Sequence, residues 1–114
     1  MPRNIIDSVQ GTLDFLILKT LTWGEMHGYA VARWILDASG EELQIEEGTL
    51  YPALHRLEDR GWIDAEWGLS ENNRRAKYYR LTSAGRHELA DRVVSWRRFT
   101  GVVDRILSTV PDGA

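Results

Sequence analysis

A short basic cluster is the clearest candidate for chemistry in this sequence. Residues 74–80 carry Arg74, Arg75, Lys77 and Arg80 and contain no acidic residue. Arginine accounts for every basic residue of the chain except Lys19 and Lys77. Because a guanidinium group can contact a phosphate or a guanine through two hydrogen bonds, the cluster indicates contact with nucleic acid. On charge alone, an ordinary solvated hairpin explains the cluster equally well.

The overall charge gives no such indication. The net charge is −3 at pH 7, and residues 37–47 contain five acidic residues and no Lys or Arg. Binding to nucleic acid would therefore depend on where the charges lie, since the whole chain is not basic.

Residues 46–60 are predicted to form a helix whose two sides differ in character. Leu50, Leu54 and Leu57 recur at helical spacing and form an apolar stripe that faces the core. The remaining surface carries the candidate DNA-binding side chains of this helix, Thr49, Tyr51, Pro52, His55 and Arg56. Together with Arg74, Arg75 and Lys77 of the basic cluster, these five residues are predicted to contact DNA.

Three positions in this helix leave alternatives open. Pro52 is unfavourable in a helix interior, so the helix either starts near Thr49 or bends at Pro52. Tyr51 flanks the leucine stripe and could belong to the core. His55 could simply be exposed.

The residue types argue against an enzyme or a metal site. The chain has 0 Cys, and its 3 His show no metal-ligand spacing. Ser, His and Asp occur without a motif that would group them into a nucleophilic site. We therefore predict no catalytic residues, no metal and no cofactor. With no apolar run near the roughly 20 residues of a membrane span and no signal-peptide pattern, we expect a cytoplasmic protein without a membrane partner.

The elements that must position these residues can be predicted from periodicity and punctuation. With 114 residues the chain fits one globular unit. Trp23-Gly24 ends the first helix, with Gly24 in the left-handed position. In the last predicted strand, Tyr78 and Tyr79 face opposite ways, and we expect Tyr79 to be the one in the core. Besides the helix of residues 46–60, we predict helices over residues 9–22, 29–38 and 83–109 and strands over 62–67 and 76–81.

The first helix is apolar on nearly every side. Its apolar residues are Leu13, Phe15, Leu16, Ile17, Leu18 and Leu21. A helix of this kind must be covered all round, and a small monomer has few elements with which to do so. A partner subunit is therefore expected.

The last helix carries a heptad pattern that favours packing against another helix. Its apolar positions are spaced alternately four and three apart, the signature of an a/d seam: Leu89, Val93, Trp96, Thr100, Val103, Leu107 and Val110. Leu89, Val93, Trp96, Val103 and Leu107 are the predicted dimer interface. The alternative is an amphipathic helix that packs on its own domain. Thr82 is placed to cap this helix.

The order of elements is that of a winged helix-turn-helix. We predict a mainly α fold with a small β-hairpin, in which residues 1–82 form the DNA-binding domain and residues 83–114 a dimerisation helix. In such a motif the second helix enters the major groove, and the hairpin forms the wing.

Four ordered segments resemble the PadR-like family of regulators. Residues 48–63 resemble its recognition helix, residues 74–82 with Gly85 its wing, residues 11–18 its first helix and residues 27–29 the start of its second. The resemblance implies a homodimeric transcription factor, usually a repressor, that binds an inverted-repeat operator in double-stranded DNA. The alternative, from another class, is a winged-helix module that binds protein and lacks DNA readout.

The resemblance also suggests a ligand site on the last helix. In multidrug-sensing members of the family, a Trp at the position of Trp96 and its copy in the partner subunit sandwich flat aromatic ligands. We therefore predict a pocket that binds a small planar aromatic effector. Its predicted lining residues are Asp14, Phe15, Leu18, Val93, Trp96 and Thr100. The alternative is that Trp96 simply fills the dimer core.

Overall fold

The computed structural model describes residues 5–112, with side chains from residue 11 onward. The ends of the two predicted domains, residues 1–4 and 113–114, lie outside the described residues. A 3-10 turn, Leu21–Trp23, follows the first helix. The other elements are α1 (Ile5–Thr20), β1 (Met26–His27), α2 (Gly28–Ala38), α3 (Glu47–Asp59), β2 (Ile63–Leu69), β3 (Arg75–Leu81) and α4 (Ser83–Leu107).

The prediction of a mainly helical fold with a small antiparallel sheet is confirmed. The sheet has three strands in the order β1-β3-β2, one more than the predicted hairpin. Strand β1 is only two residues long and pairs with the middle of β3, Met26 opposite Tyr79 and His27 opposite Tyr78. A strand this short carries no alternation from which it could be predicted.

Helix α1 lies at the centre of the fold. Ile17 and Leu18 are fully buried, and α1 packs against α2, α3 and α4 of the same chain. Three helices of the same chain therefore cover much of α1, and the partner subunit expected from its apolar surface stays a prediction. Gly24, predicted to be left-handed, instead has φ 132° and ψ 179°, and its N–H bonds to the carbonyl of Leu21.

Helix α3 begins at Glu47, so Pro52 lies inside it and the helix does not start at Thr49. Proline lacks the N–H that would bond to the carbonyl of Gly48. Gly48 is exposed, so water can reach that carbonyl. Glu46 opens the helix, and its backbone oxygen accepts bonds from the N–H groups of Thr49 and Leu50.

The hairpin of β2 and β3 pairs Ile63 with Leu81 at its base and Leu69 with Arg75 at its tip. Tyr79 is buried, as predicted. In the turn, Asn73 has φ 59°, and the N–H of Ser70 bonds to the carbonyl of Arg74 at 2.8 Å. Asparagine tolerates this left-handed conformation better than most residues, which fits the predicted turn chemistry.

Helix α4 starts at the predicted cap. Thr82 Oγ1 accepts a hydrogen bond from the N–H of Gly85 at 3.0 Å and donates one to the carbonyl of Gly61 at 2.7 Å. Leu89 and Val93 pack against the core, so the core continues past residue 82. The helix is about 37 Å long, and beyond Val93 it extends away from the core. The extents of the chain, with this helix included, are 66 × 29 × 25 Å.

Candidate nucleic-acid interface

Helix α3 separates its core side from its exposed side as the sequence predicts. Leu50, Leu54 and Leu57 are buried against α1 and the sheet. The predicted DNA-binding side chains Thr49, Tyr51, Pro52 and His55 are all exposed. His55 Nε2 lies 3.5 Å from Asp59 Oδ2, one helical turn along the same exposed surface.

Tyr51 is exposed but not free to move in every direction. It is 45 % exposed, which answers the question whether it belongs to the core. Its ring lies against the backbone of Gly28 at the start of α2. Tyr51 therefore joins the exposed side of α3 to the N-terminus of the preceding helix.

The start of α2 is held to the sheet by His27. The Nδ1 atom of His27 accepts a hydrogen bond from the N–H of Ala30 at 3.1 Å and so caps the helix. The same ring packs edge-on against Tyr78 of β3, with ring centroids 5.5 Å apart. Because β1 is also paired with β3, the N-terminus of α2 has a fixed place next to the wing.

The wing carries its arginines at the end of the turn. Arg74 and Arg75 are both exposed. The guanidinium carbon of Arg75 lies 4.5 Å from the centroid of the Trp67 ring, a cation–π contact. Trp67 alternates in phase with the buried Ile63, but the hairpin extends past the core and leaves the Trp67 ring 57 % exposed. Alternation alone could not have singled out Trp67 as a wing surface residue.

Arg56 and Lys77, predicted to face DNA, are both held in ion pairs within the chain. Arg56 Nη2 lies 2.9 Å from Asp14 Oδ1, which ties α3 to α1. Lys77 Nζ lies 3.0 Å from Glu58 Oε1, which ties β3 to α3. The hydrogen bond that the Lys77 ammonium donates to Glu58 raises the pKa of Lys77. Both basic groups are partly shielded and serve to orient α3 and the wing.

Arg80, the last residue of the basic cluster, is also paired. Its Nε donates to Asp64 Oδ1 at 3.0 Å, and its Nη1 lies 3.3 Å from Glu66 Oε2. The hydrogen bond to Asp64 raises the pKa of Arg80. Within the basic cluster, Arg74 and Arg75 thus remain as the pair of exposed side chains at the turn.

An open cleft of about 930 Å³ brings several of the predicted residues together. Tyr51, Arg74, Arg75 and Lys77 all line it. The further lining residues include His27, Tyr29, Arg33, Trp34 and Trp67. Thr49, Pro52 and His55 lie outside the cleft. The two candidate DNA-binding elements, α3 and the wing, therefore border the same concave surface.

The predicted ligand residues are less well gathered. Trp96 is 41 % exposed, and its ring centroid lies 5.6 Å from that of Phe15. Leu18 is fully buried in the core, so it cannot form a wall of an open pocket in this conformation. Asp14 bonds to Arg56 instead of lying free at a rim. Val93 is half-buried against the core, and the Thr100 hydroxyl donates to the carbonyl of Arg97 at 3.2 Å.

A family model described as the transcriptional regulator PadR-like family matches residues 17–91. The match runs from the last turn of α1 to the first turns of α4 and includes all of α2, α3 and the wing. The chain belongs to the PadR-like family. The family consists of transcriptional regulators, so this is a regulator and not an enzyme.

Individual PadR-like relatives agree with this assignment. The chain is 30 % identical over 79 residues to the negative transcriptional regulator PadR of Bacillus subtilis, covering 69 % of this chain and 43 % of that one. A solved transcriptional regulator from Clostridium thermocellum is 32 % identical with a TM-score of 0.79, covering 87 % of this chain and 96 % of the other. A PadR family regulator from Eggerthella lenta is 31 % identical with a TM-score of 0.78, covering 93 % and 90 %.

The winged-helix assignment is therefore shown by sequence and structure together.

Across residues 5–112, no helix is both long and apolar enough to span a bilayer. In the same part of the chain, His, Asp and Glu side chains form no group of three that could hold a metal ion.

Proposed function

We propose that this PadR-like regulator is a cytoplasmic, homodimeric repressor that binds an inverted-repeat operator in double-stranded DNA. The observation that carries the proposal is the shared cleft, in which Tyr51 of α3 faces the same space as Arg74 and Arg75 of the wing. A helix and a wing on one surface can contact adjacent parts of a duplex.

The two elements would divide the work. Thr49, Tyr51 and His55, with Pro52 beside them, lie on the exposed side of a rigid helix and are suited to reading base edges. Arg74 and Arg75 lie at a turn and are suited to the DNA backbone or the minor groove. Arg56 and Lys77 support this surface through their pairs with Asp14 and Glu58.

Repression and dimerisation rest on different observations. The Bacillus subtilis relative is named a negative regulator, which favours repression here. The distal half of α4 leaves large apolar side chains exposed, namely Trp96, Phe99, Val102, Ile106 and Leu107. An exposed apolar surface of this kind is typical of a subunit interface. A symmetric dimer would place two recognition helices on half-sites about one helical turn apart.

Selection of bound fragments from random DNA with the purified protein tests this proposal. We expect enriched fragments to share a two-fold symmetric sequence and the logarithm of affinity to fall linearly with the logarithm of salt concentration. The contrary result, no enriched sequence and no salt-dependent binding, would favour a winged-helix module that binds protein. This second candidate is favoured by the acidic segment that leads into α3. Its exposed acidic residues are Glu41, Glu42, Glu46 and Glu47.

Replacing Arg74 and Arg75 together by alanine is expected to weaken binding to operator and random DNA by similar factors. Because these side chains would neutralise phosphates, the slope of log affinity against log salt should become shallower by about 1–2. Fluorescence anisotropy over a salt series measures both quantities.

The control for this pair is the double replacement of Arg97 and Arg98 by alanine. It removes the same charge from exposed positions of α4, away from the cleft. We expect the control to leave the slope nearly unchanged. If the wing variant instead lost one base preference at constant slope, these arginines would be base-reading residues.

We further propose that a small planar aromatic effector binds beside Trp96 and releases the DNA. Trp96 is bulky for an a/d seam. Its ring lies at a tilt of 46° to the rings of Phe15 and Phe99 and remains partly exposed. In a dimer, two copies of this ring would flank a gap large enough for a flat ring system. Of the predicted pocket residues, Phe15 and Thr100 remain suitable for lining it, whereas Leu18 does not.

Replacing Trp96 by alanine should abolish binding of such an effector while the protein stays folded. The probes are proflavine, a planar cation, and 4-hydroxybenzoate, a phenolic acid. At least one should bind the unmodified protein saturably in calorimetry, with a dissociation constant on the order of micromolar. Trp23→Ala, which removes an exposed ring elsewhere, should leave the affinity unchanged. Binding that survives Trp96→Ala would remove the effector site from this helix.

A further inference from the structure

We infer that Gly28 is a positioning residue for DNA recognition, because the Tyr51 ring occupies the space that a side chain at position 28 would need. The inference rests on the proposed function and deepens it. It explains why the first residue of α2 bears on a contact made by α3.

The contact is so close that a side chain at position 28 would displace the Tyr51 ring. A Cβ atom added to Gly28 would lie 2.8 Å from Tyr51 Cε1, 2.8 Å from the Tyr51 hydroxyl oxygen and 2.9 Å from Cζ. Carbon atoms in proteins do not approach one another this closely without repulsion. The hydroxyl end of the ring therefore lies directly over the Gly28 backbone.

Backbone conformation does not account for glycine here. Gly28 is not among the glycines with positive φ, so its backbone is one that alanine adopts freely. Alanine is also a better helix former than glycine. On local grounds alanine would be favoured at this position, and the Tyr51 contact is the feature that distinguishes glycine from it.

The contact with the Gly28 backbone holds the Tyr51 ring in one orientation. The ring is 45 % exposed, so part of it remains available to a partner while its hydroxyl end is fixed. The platform beneath it is rigid, because His27 caps α2 and its ring packs on Tyr78. A side chain that is already ordered before binding does not lose that freedom when DNA arrives, which increases affinity.

Gly28→Ala is the direct test. The clash falls on the far end of a side chain that can swing outward, so we expect the melting temperature to stay the same or rise slightly. Operator affinity should fall about 5- to 10-fold, the factor that corresponds to immobilising one side chain. Gly11→Ala, where an added Cβ meets nothing within 4 Å, is the matched control: it should leave operator affinity unchanged and, because alanine is favoured inside a helix, raise the melting temperature slightly.

A double-mutant cycle separates positioning from a direct role of Gly28. In a Tyr51→Ala background, Gly28→Ala should have no further effect on affinity, because no ring remains to be displaced. An equal fall in both backgrounds would overturn the inference, since Gly28 would then act through its own contact.

A measurement without DNA completes the test. In protein labelled with fluorotyrosine, the Tyr51 resonance can be assigned from the Tyr51→Phe variant. Gly28→Ala should shift this resonance, whereas Gly11→Ala should not. If wild-type protein binds operator but Gly28→Ala changes neither affinity nor resonance, the inference alone fails. If wild-type protein binds no DNA at all, the proposed function fails, and the role of Gly28 in recognition fails with it.

Discussion

Gly85→Ala is expected to lower the free energy of unfolding by about 3 kcal/mol, the upper part of the range for overpacked sites. A Cβ atom at Gly85 would lie 2.0 Å from the carbonyl oxygen of Trp62 and 2.8 Å from Leu81 Cδ1. The Trp62 carbonyl cannot easily yield, because it accepts the N–H of Thr82 at 3.0 Å. Urea unfolding followed by circular dichroism measures the loss.

Gly101→Ala is the matched control in the same helix. Gly101 is exposed, and an added Cβ there meets nothing within 4 Å. Because alanine is favoured over glycine in a helix interior, this change should stabilise the chain by up to about 1 kcal/mol. The two identical substitutions should thus differ in sign. A Gly85→Ala variant as stable as wild type would mean that α4 does not approach Trp62 so closely.

The elements that depend on periodicity could be predicted from the sequence. Leu50, Leu54 and Leu57 are buried because a spacing of four and three places them on one side of a helix. Tyr79 is buried and Tyr78 only partly so because neighbouring strand residues face opposite ways. The exposed side of α3 followed from the same reasoning. In each case the information lies within a few consecutive turns or residues.

What the sequence could not show are contacts between distant residues. Asp14 and Arg56 are 42 positions apart, and nothing local to either indicates that they pair. The same holds for Lys77 with Glu58, so both basic residues were predicted to be free for DNA. Gly28 and Gly85 likewise look like ordinary helix-start glycines until the packed neighbour is known.

The cover of α1 illustrates the same limit on a larger scale. An all-round apolar helix predicts that something covers it, but not whether that is its own chain or another. Here α2, α3 and α4 of the same chain supply much of the cover. The case for a dimer therefore rests on the distal half of α4.

Val103→Asp is expected to convert the proposed dimer into monomers. Val103 shares one side of α4 with Trp96 and Phe99, on the part of the helix that extends beyond the core. In a symmetric interface this change would bury two unpaired carboxylates or force the helices apart. The dimer dissociation constant should rise at least about a hundredfold. Sedimentation equilibrium against the chain mass of 13.1 kDa measures the state of association.

The choice of position decides what this experiment can tell. Val93 belongs to the same heptad seam, but it packs against the core of its own chain, so an aspartate there would also damage the fold. Val94→Asp is the better companion, because Val94 lies on the opposite side of α4 and is 68 % exposed. It adds the same carboxylate to the same helix and should leave the dimer intact. If both variants stay dimeric at micromolar concentration, another surface joins the subunits, whereas loss of the dimer in both would indicate a general effect of charge on α4. The expected result is that only Val103→Asp dissociates the dimer and loses operator binding, while its circular dichroism spectrum stays unchanged. This result would show that the distal apolar side of α4 joins the subunits and so sets the spacing of the two recognition helices.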